Sequence, residues 1–120
     1  MLSIINNLPK HVLGIRASGK VDKEDFEKIL IPALDDLVKR KGQINYLLQL
    51  ETKVKNFTMG AWFEDAKIGL KHFTKWHKIA IVTAEKGIEK FSDIFGIAVP
   101  GESKGFPLEQ LEEAKQWVAA

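Results

Sequence analysis

Cysteine is absent from the 120 residues, which excludes disulfides, thiolate zinc sites and cysteine nucleophiles. No apolar run approaches the ~18 residues of a membrane-spanning helix. An excess of one charge is missing too: 18 Lys and Arg against 16 Asp and Glu leave a net +2, too little to imply a nucleic-acid partner. None of the 9 glycines falls into a GxGxxG pattern after a strand, and GESKG at 101–105 lacks the Gly-Lys-Ser/Thr ending of a P-loop, so it reads as a surface turn. There is no GxSxG elbow and no HExxH helix. His72 and His77 stand five apart across an expected helix end with no third ligand in view, so no metal or other cofactor is expected; His72 reads as a solvated helix terminus and His77 as a strand entry. The start, MLSIINNLPKHVLGIRASGK, has no basic stretch ahead of its apolar residues and no small-residue cleavage pattern, so it reads as a first strand. A cytoplasmic protein is the expectation.

What is present is a globular mixture, 45% hydrophobic and 28% charged, in a length that suits one domain spanning 1–120. Met1 to Ile5 and His11 to Ala17 are short β-rich runs separated by NNLPK, a hairpin pattern. Asp22 is placed to cap a helix in which Phe26, Ile29, Leu30, Ala33, Leu34, Leu37 and Val38 recur at helical spacing up to Gly42. Acids crowd its start and Lys39, Arg40 and Lys41 its end, as the helix dipole favours. Pro32 lies inside the pattern, where the lost N–H predicts a kink. Gln43 to Glu51 is a strand with Ile44, Tyr46, Leu48 and Leu50 on one face and Leu47 on the other. Lys78 to Thr83 is an almost wholly apolar strand of the interior, parallel kind. The tail gives a turn, a brief strand ending at Phe106 and a helix burying Leu108, Leu111, Ala114, Trp117 and Val118. The order β-β-α-β-α-β-α-(β)-α, with about four helices, predicts an α/β protein with a mostly parallel sheet and an antiparallel N-terminal hairpin strand.

Between those strands lie the informative segments. Residues 52–90 hold eight lysines against four acids, while 91–120 hold two against five. Seven of the aromatics (Phe57, Trp62, Phe63, Phe73, Trp76, Phe91, Phe95) fall within 57–95. At 100° per residue, Met59, Trp62, Phe63, Ala66, Leu70 and Phe73 share an arc of roughly 100°, the width of a core-facing stripe. Lys67, Lys71 and Lys75 climb one flank, and Ile68 points the other way. A second short helix over 85–96 gathers Ile88, Phe91, Ile94 and Phe95. Gly60 and Gly69 weaken the first helix by roughly 1 kcal/mol each. Two readings follow from these residues: a tightly packed small core, or a movable apolar lid with a basic flank. Glu64 and Asp65 are adjacent and so diverge by about 100°, which suits a solvated face better than a shared substrate. A small enzyme using Asp65 or His72 is a third reading, for which no base, nucleophile and orienting partner can be placed together.

The order of elements, together with GIRASGKVDKEDFEKILIPALDDL, INYLLQLE, AWFEDAKIGLKHF, KIAIVT and FPLEQLEEAKQWV, resembles the bacterial SpoIIAA-like family, grouped with STAS and CRAL-TRIO domains. The resemblance covers essentially the whole chain and implies a SpoIIAA-like (STAS-like) sheet. STAS anti-sigma antagonists bind protein partners and are switched by phosphorylation of a serine in a DSSG-type motif. Here the corresponding place reads KNFTMGAW, without that motif, and Thr58 stands as a helix N-cap. CRAL-TRIO domains carry nonpolar ligands beneath mobile helices and visit membranes. Transferred by fold analogy, this makes the leading expectation a non-catalytic carrier or sensor of a nonpolar small molecule or lipid. Trp62, Phe63, Leu70, Phe91 and Phe95 would line the lid, and Lys67, Lys71 and Lys75 would face anionic headgroups in a reversible membrane contact. The alternative is a STAS-type interaction module presenting Thr58 and Ile68 to a protein partner.

Overall fold

The computed structural model describes residues 1–53, 71–86 and 100–120. Five strands form one sheet in chain order: β1 (Leu2–Ile4), β2 (Leu13–Ala17), β3 (Ile44–Leu50), β4 (Trp76–Thr83) and β5 (Glu102–Phe106). β1 runs antiparallel to β2 and the remaining pairs are parallel, as the hairpin and the apolar interior strand predict. The brief strand before Phe106 is β5. Two of the expected helices are described, at 23–41 and near the end of the chain. Those expected over 57–73 and 85–96 lie almost entirely outside the described residues.

The first helix begins with a reciprocal cap: Asp22 accepts from the Asp25 amide and Asp25 accepts from the Asp22 amide, which satisfies two otherwise orphaned donors. It is a chain of three pieces, α1 (Lys23–Asp25), a π-helical turn (Phe26–Leu30) and α2 (Ile31–Lys41). The π-turn immediately precedes Pro32, where the sequence predicts a kink. Proline has no N–H for the carbonyl four residues back and its ring would press on it. The ladder therefore widens just before it, with the Ile31 amide donating to the Phe26 carbonyl. Gly42 ends α2 in the left-handed conformation, φ 74°. The last helix, α3 (Leu111–Ala119), follows a 3-10 turn at Leu108–Gln110.

The sheet is covered on two faces. Phe26, Leu30, Leu34 and Leu37 pack with Ile15, Tyr46, Leu48, Ile79 and Ile81 on one. Ala114 and Val118 of α3 pack with Val12, Leu47, Ala80 and Val82 on the other. This alternation along β3 and β4 follows from the period-two pleat. A bulge between Ile44 and Asn45 resets it, since Ile44 pairs with Trp76 and Asn45 with Lys78. His77 is the extra residue, turned outward, and Trp76 stays in the first core. The carboxyl end of α3 is fastened to the sheet: Lys78 donates to the Trp117 carbonyl at 3.2 Å and lies over its indole, and His11 Nε2 donates to the Ala119 carbonyl at 2.8 Å.

Candidate functional site

In an open parallel sheet, ligands collect beyond the carboxyl ends of the strands, where the connections diverge. A cavity of about 600 Å3 lies there, between the ends of β3 and β4, within the ~300–1,000 Å3 typical of ligand pockets. Its floor is Leu50 and Thr83, its rim includes Gly19, Thr52 and Glu85, and Leu108 closes one side. The rim is built by hydrogen bonds. The Glu51 amide donates to the Ala17 carbonyl at 2.8 Å, extending the β2–β3 ladder past β3, and the Thr52 hydroxyl donates to the Gly19 carbonyl at 2.8 Å. Arg16 Nε holds Glu51 at 2.8 Å and Gln49 donates to its other oxygen at 2.9 Å. Thr83 Oγ1 accepts from the Glu85 amide at 3.0 Å, turning the chain away from β4. Two connections leave the described structure beside this cavity, one after Lys53, which lines it, and one after Lys86. They lead into the segments that carry the expected aromatic stripes.

Two polar clusters lie toward the opposite end. Asn45, only 3% exposed, interrupts the apolar β3. Its amide donates to the His11 carbonyl at 3.3 Å and its oxygen meets His77 Nδ1 at 2.7 Å. Because Asn45 offers an acceptor there, His77 is protonated on Nδ1 and presents Nε2 outward. On α2, Asp35 Oδ1 meets His72 Nε2 at 2.8 Å and Asp35 Oδ2 meets Lys71 at 3.0 Å. Burial alone would raise the Asp35 carboxyl, but the hydrogen bonds and charges of His72 and Lys71 outweigh it and hold it below the ordinary range. Among the described residues no three His, Asp or Glu side chains converge as a metal site.

The SpoIIAA-like family profile matches residues 12–119. The chain belongs to the SpoIIAA-like family. A crystal structure of an uncharacterized protein with a SpoIIAA-like fold from Shewanella loihica is similar to it, with 26% identity, a TM-score of 0.71, and coverage of 98% of this chain and 93% of that one. Among curated proteins none matches. The fold is that of a STAS-type module.

Of the residues singled out in this SpoIIAA-like chain, Trp62, Phe63, Leu70, Phe91 and Phe95, with Lys67, Thr58 and Ile68, lie outside the described residues. Lys71 and Lys75 are exposed, the former paired with Asp35. Two expectations are corrected. Phe73, counted in the core-facing arc, sits in a 3-10 turn (Phe73–Lys75) and is 42% exposed; the 100° rotation that placed it inward does not extend into a tighter turn. His72, read as solvated, is tied to Asp35 with only 15% of its side chain exposed. The sequence offered a signal for Asn45, a lone amide among apolar strand residues. It offered none for Asp35, whose partner stands 37 positions away.

Proposed function

We propose that this SpoIIAA-like domain is a non-catalytic binding module that holds a nonpolar small molecule or lipid at the carboxyl ends of β3 and β4 and makes a reversible membrane contact. The cavity between Leu50, Thr83 and Leu108 carries the reading. It has the size of a small-ligand site, apolar walls at Leu50, Ala84 and Leu108 and fixed polar groups at its rim, and the chain leaves its edge twice for segments rich in aromatics. Trp62, Phe63, Leu70, Phe91 and Phe95 are the residues proposed to cover the ligand. An opening that uncovers several hundred Å2 of apolar surface costs many kcal/mol at ~25 cal/mol per Å2, so ligand must replace what the lid gives up.

Titration with cis-parinaric acid, a fluorescent fatty acid, tests this. Saturable single-site binding is expected, weakened tenfold or more both by Ala84→Trp, which fills the cavity from its exposed wall, and by Trp62→Ala with Phe91→Ala. Absence of saturable binding by the wild-type protein, together with no lipid extracted from it on purification, overturns the proposal.

Family membership supports a second reading, a STAS-type interaction module with a protein partner, in which Ile68 and its lysine flank form the contact. Loss of a defined partner in Ile68→Glu, with no fatty-acid binding by the wild type, would favour it.

A further inference from the structure

The sheet ends at β5, which pairs with β4 on one side and with none of the described residues on the other. An edge strand with unpaired amides and carbonyls is a template for another strand. At five residues β5 offers more of them than β1, the three-residue strand at the opposite edge, whose Leu2 amide is taken by Asp25 Oδ1 at 3.3 Å. Pro100 and Pro107 bracket β5. Neither has an N–H to give, so pairing is confined to the residues between them.

Side chains along β5 alternate between the two faces. Phe106 belongs to the core beneath α3, with Val82 as its register partner, so Lys104 and Glu102 stand on that same face, opposite Ala80 and Lys78. Both are exposed, and neither enters an ion pair among the described residues. The Lys104 ammonium lies 5.2 Å from the centre of the Phe106 ring. Lys78, the neighbour that could neutralise Glu102, donates instead to the Trp117 and Ala120 carbonyls at 3.2 and 3.1 Å. A lysine on an edge ordinarily deters strand addition. An acid two residues away on the same face reverses that for one partner, a strand of the same sequence run antiparallel.

We propose that two copies of this chain join through β5, antiparallel about a two-fold axis at Ser103, so that their two five-stranded sheets become one. In that register Glu102 faces the partner's Lys104 and Lys104 faces the partner's Glu102. The two-fold keeps every side chain on its own face, so the competing registers are few. Centred on Glu102 or on Lys104, like charges meet directly, which destabilises the pair. Centred on Gly105, Ser103 meets the partner's Pro107, which has no N–H, and both charges go unanswered. A strand from another protein would need acid and base in the reverse order on one face; the chain itself supplies them. Such an isologous joint is closed, because it uses both β5 edges at once. The copies run antiparallel, so their two cavities lie at opposite ends of the joined sheet, and the joint is independent of what the cavity binds.

Sedimentation equilibrium over a rising protein concentration tests the joint. The wild-type protein is expected to pass from monomer to dimer, and less readily at high salt. By symmetry each charge reversal places two like-charged pairs at the joint, so Glu102→Lys and Lys104→Glu are each expected to weaken dimerisation by about tenfold or more. The two substitutions together restore complementarity and are expected to bring it back to within about threefold of the wild type. The chain has no cysteine of its own, so Ser103→Cys reports the axis directly. Residues directly opposite stand about 5 Å apart between Cα atoms, within disulfide reach, and mild oxidation is expected to give a covalent dimer. Ser3→Cys, exposed at the β1 edge, is expected to stay monomeric. Circular dichroism checks that each variant is folded. The proposal is overturned if the wild type remains monomeric at millimolar concentration, if either single charge variant dimerises as the wild type does, if the double variant dimerises no better than the single ones, or if oxidation joins Ser3→Cys and not Ser103→Cys.

Discussion

The two ends of the sheet are made of the same parts and lean to opposite charge. At the carboxyl end, where α1 and α3 begin, Asp22, Glu24, Asp25, Glu51, Glu85, Glu112 and Glu113 stand with Lys20, Lys23, Lys53 and Lys86; at the amino end, where α2 finishes, Lys10, Lys39, Arg40, Lys41, Lys71 and Lys75 stand with Asp35, Asp36 and Glu102. Much of this polarity is what helices require, since acids stabilise their starts and bases their ends. The difference lies in the connections. At the carboxyl end they frame a cavity with satisfied polar groups, whereas at the amino end they hold Lys10, Lys75 and Phe73 out to solvent. Charge at a helix terminus is accounted for by folding, and charge or apolar surface carried on a turn is what remains to explain by binding.

The largest effect expected from breaking this comparison is at the amino end. Gly101 turns the chain into β5 with φ 106°, and a β-carbon there would sit 2.7 Å from the Trp76 carbonyl oxygen and 2.9 Å from that of His77. Both obstacles are backbone at the start of β4, so nothing gives way cheaply. Gly101→Val is expected to cost ~3 kcal/mol or more, read as a lowered denaturant midpoint. At the carboxyl end Gly19 also has positive φ, 57°, but a β-carbon would meet nothing within 4 Å. Gly19→Asn should cost ~1 kcal/mol or less, since Asn visits this region. Equal costs would mean that the amino end is no more tightly framed than the cavity rim.

The next contrast sets one buried polar side chain against another. Asn45 carries two hydrogen bonds and sits 3% exposed beside the strand starts; Thr83, 6% exposed, carries one to the Glu85 amide at the strand ends. Asn45→Ala leaves the His11 carbonyl and the His77 ring without this partner and is expected to cost ~2 kcal/mol, against ~1 kcal/mol for Thr83→Ala. Thermal unfolding of both variants measures the difference.

Legibility in the sequence follows the same division. Period-two alternation in INYLLQL and the apolar run IAIVT fixed which side chains face which helix, because burial on both sides of a central strand leaves the pattern little freedom. The capping of Asp22 and the end at Gly42 were readable for the same local reason. Pro32 announced a disturbance but not its form, a π-turn over Phe26–Leu30 just before it. The cavity was not readable, since it arises from the spacing of strand ends that are more than thirty residues apart in sequence (Leu50 and Thr83). Neither was the exposure of Phe73, because a three-residue tight turn leaves no periodic trace.

The smallest effects expected concern two carboxylates and separate local capping from a long-range ion pair. Asp25, near the carboxyl end, loses stability as an anion through burial but gains more from the backbone amides of Asp22 and Leu2 and from the N-terminal ammonium 3.9 Å away, so its carboxyl is held below the ordinary 3.8. Asp35, facing the turn into β4, is also lowered. A depressed folded value means the unfolded chain takes up the proton first as pH falls. Each contribution is therefore complete above 3.8 and disappears as pH drops through the lower folded value. Asp25→Asn is expected to cost about 1 kcal/mol at neutral pH, a gap that closes in acid below 3.8. Asp35 is 42% exposed, so solvent screens its pairs and Asp35→Asn should cost only ~0.3 kcal/mol. Salt tells them apart: at 1 M, where the screening length is ~3 Å, the Asp35 effect should vanish while the amide bonds of Asp25 keep most of theirs.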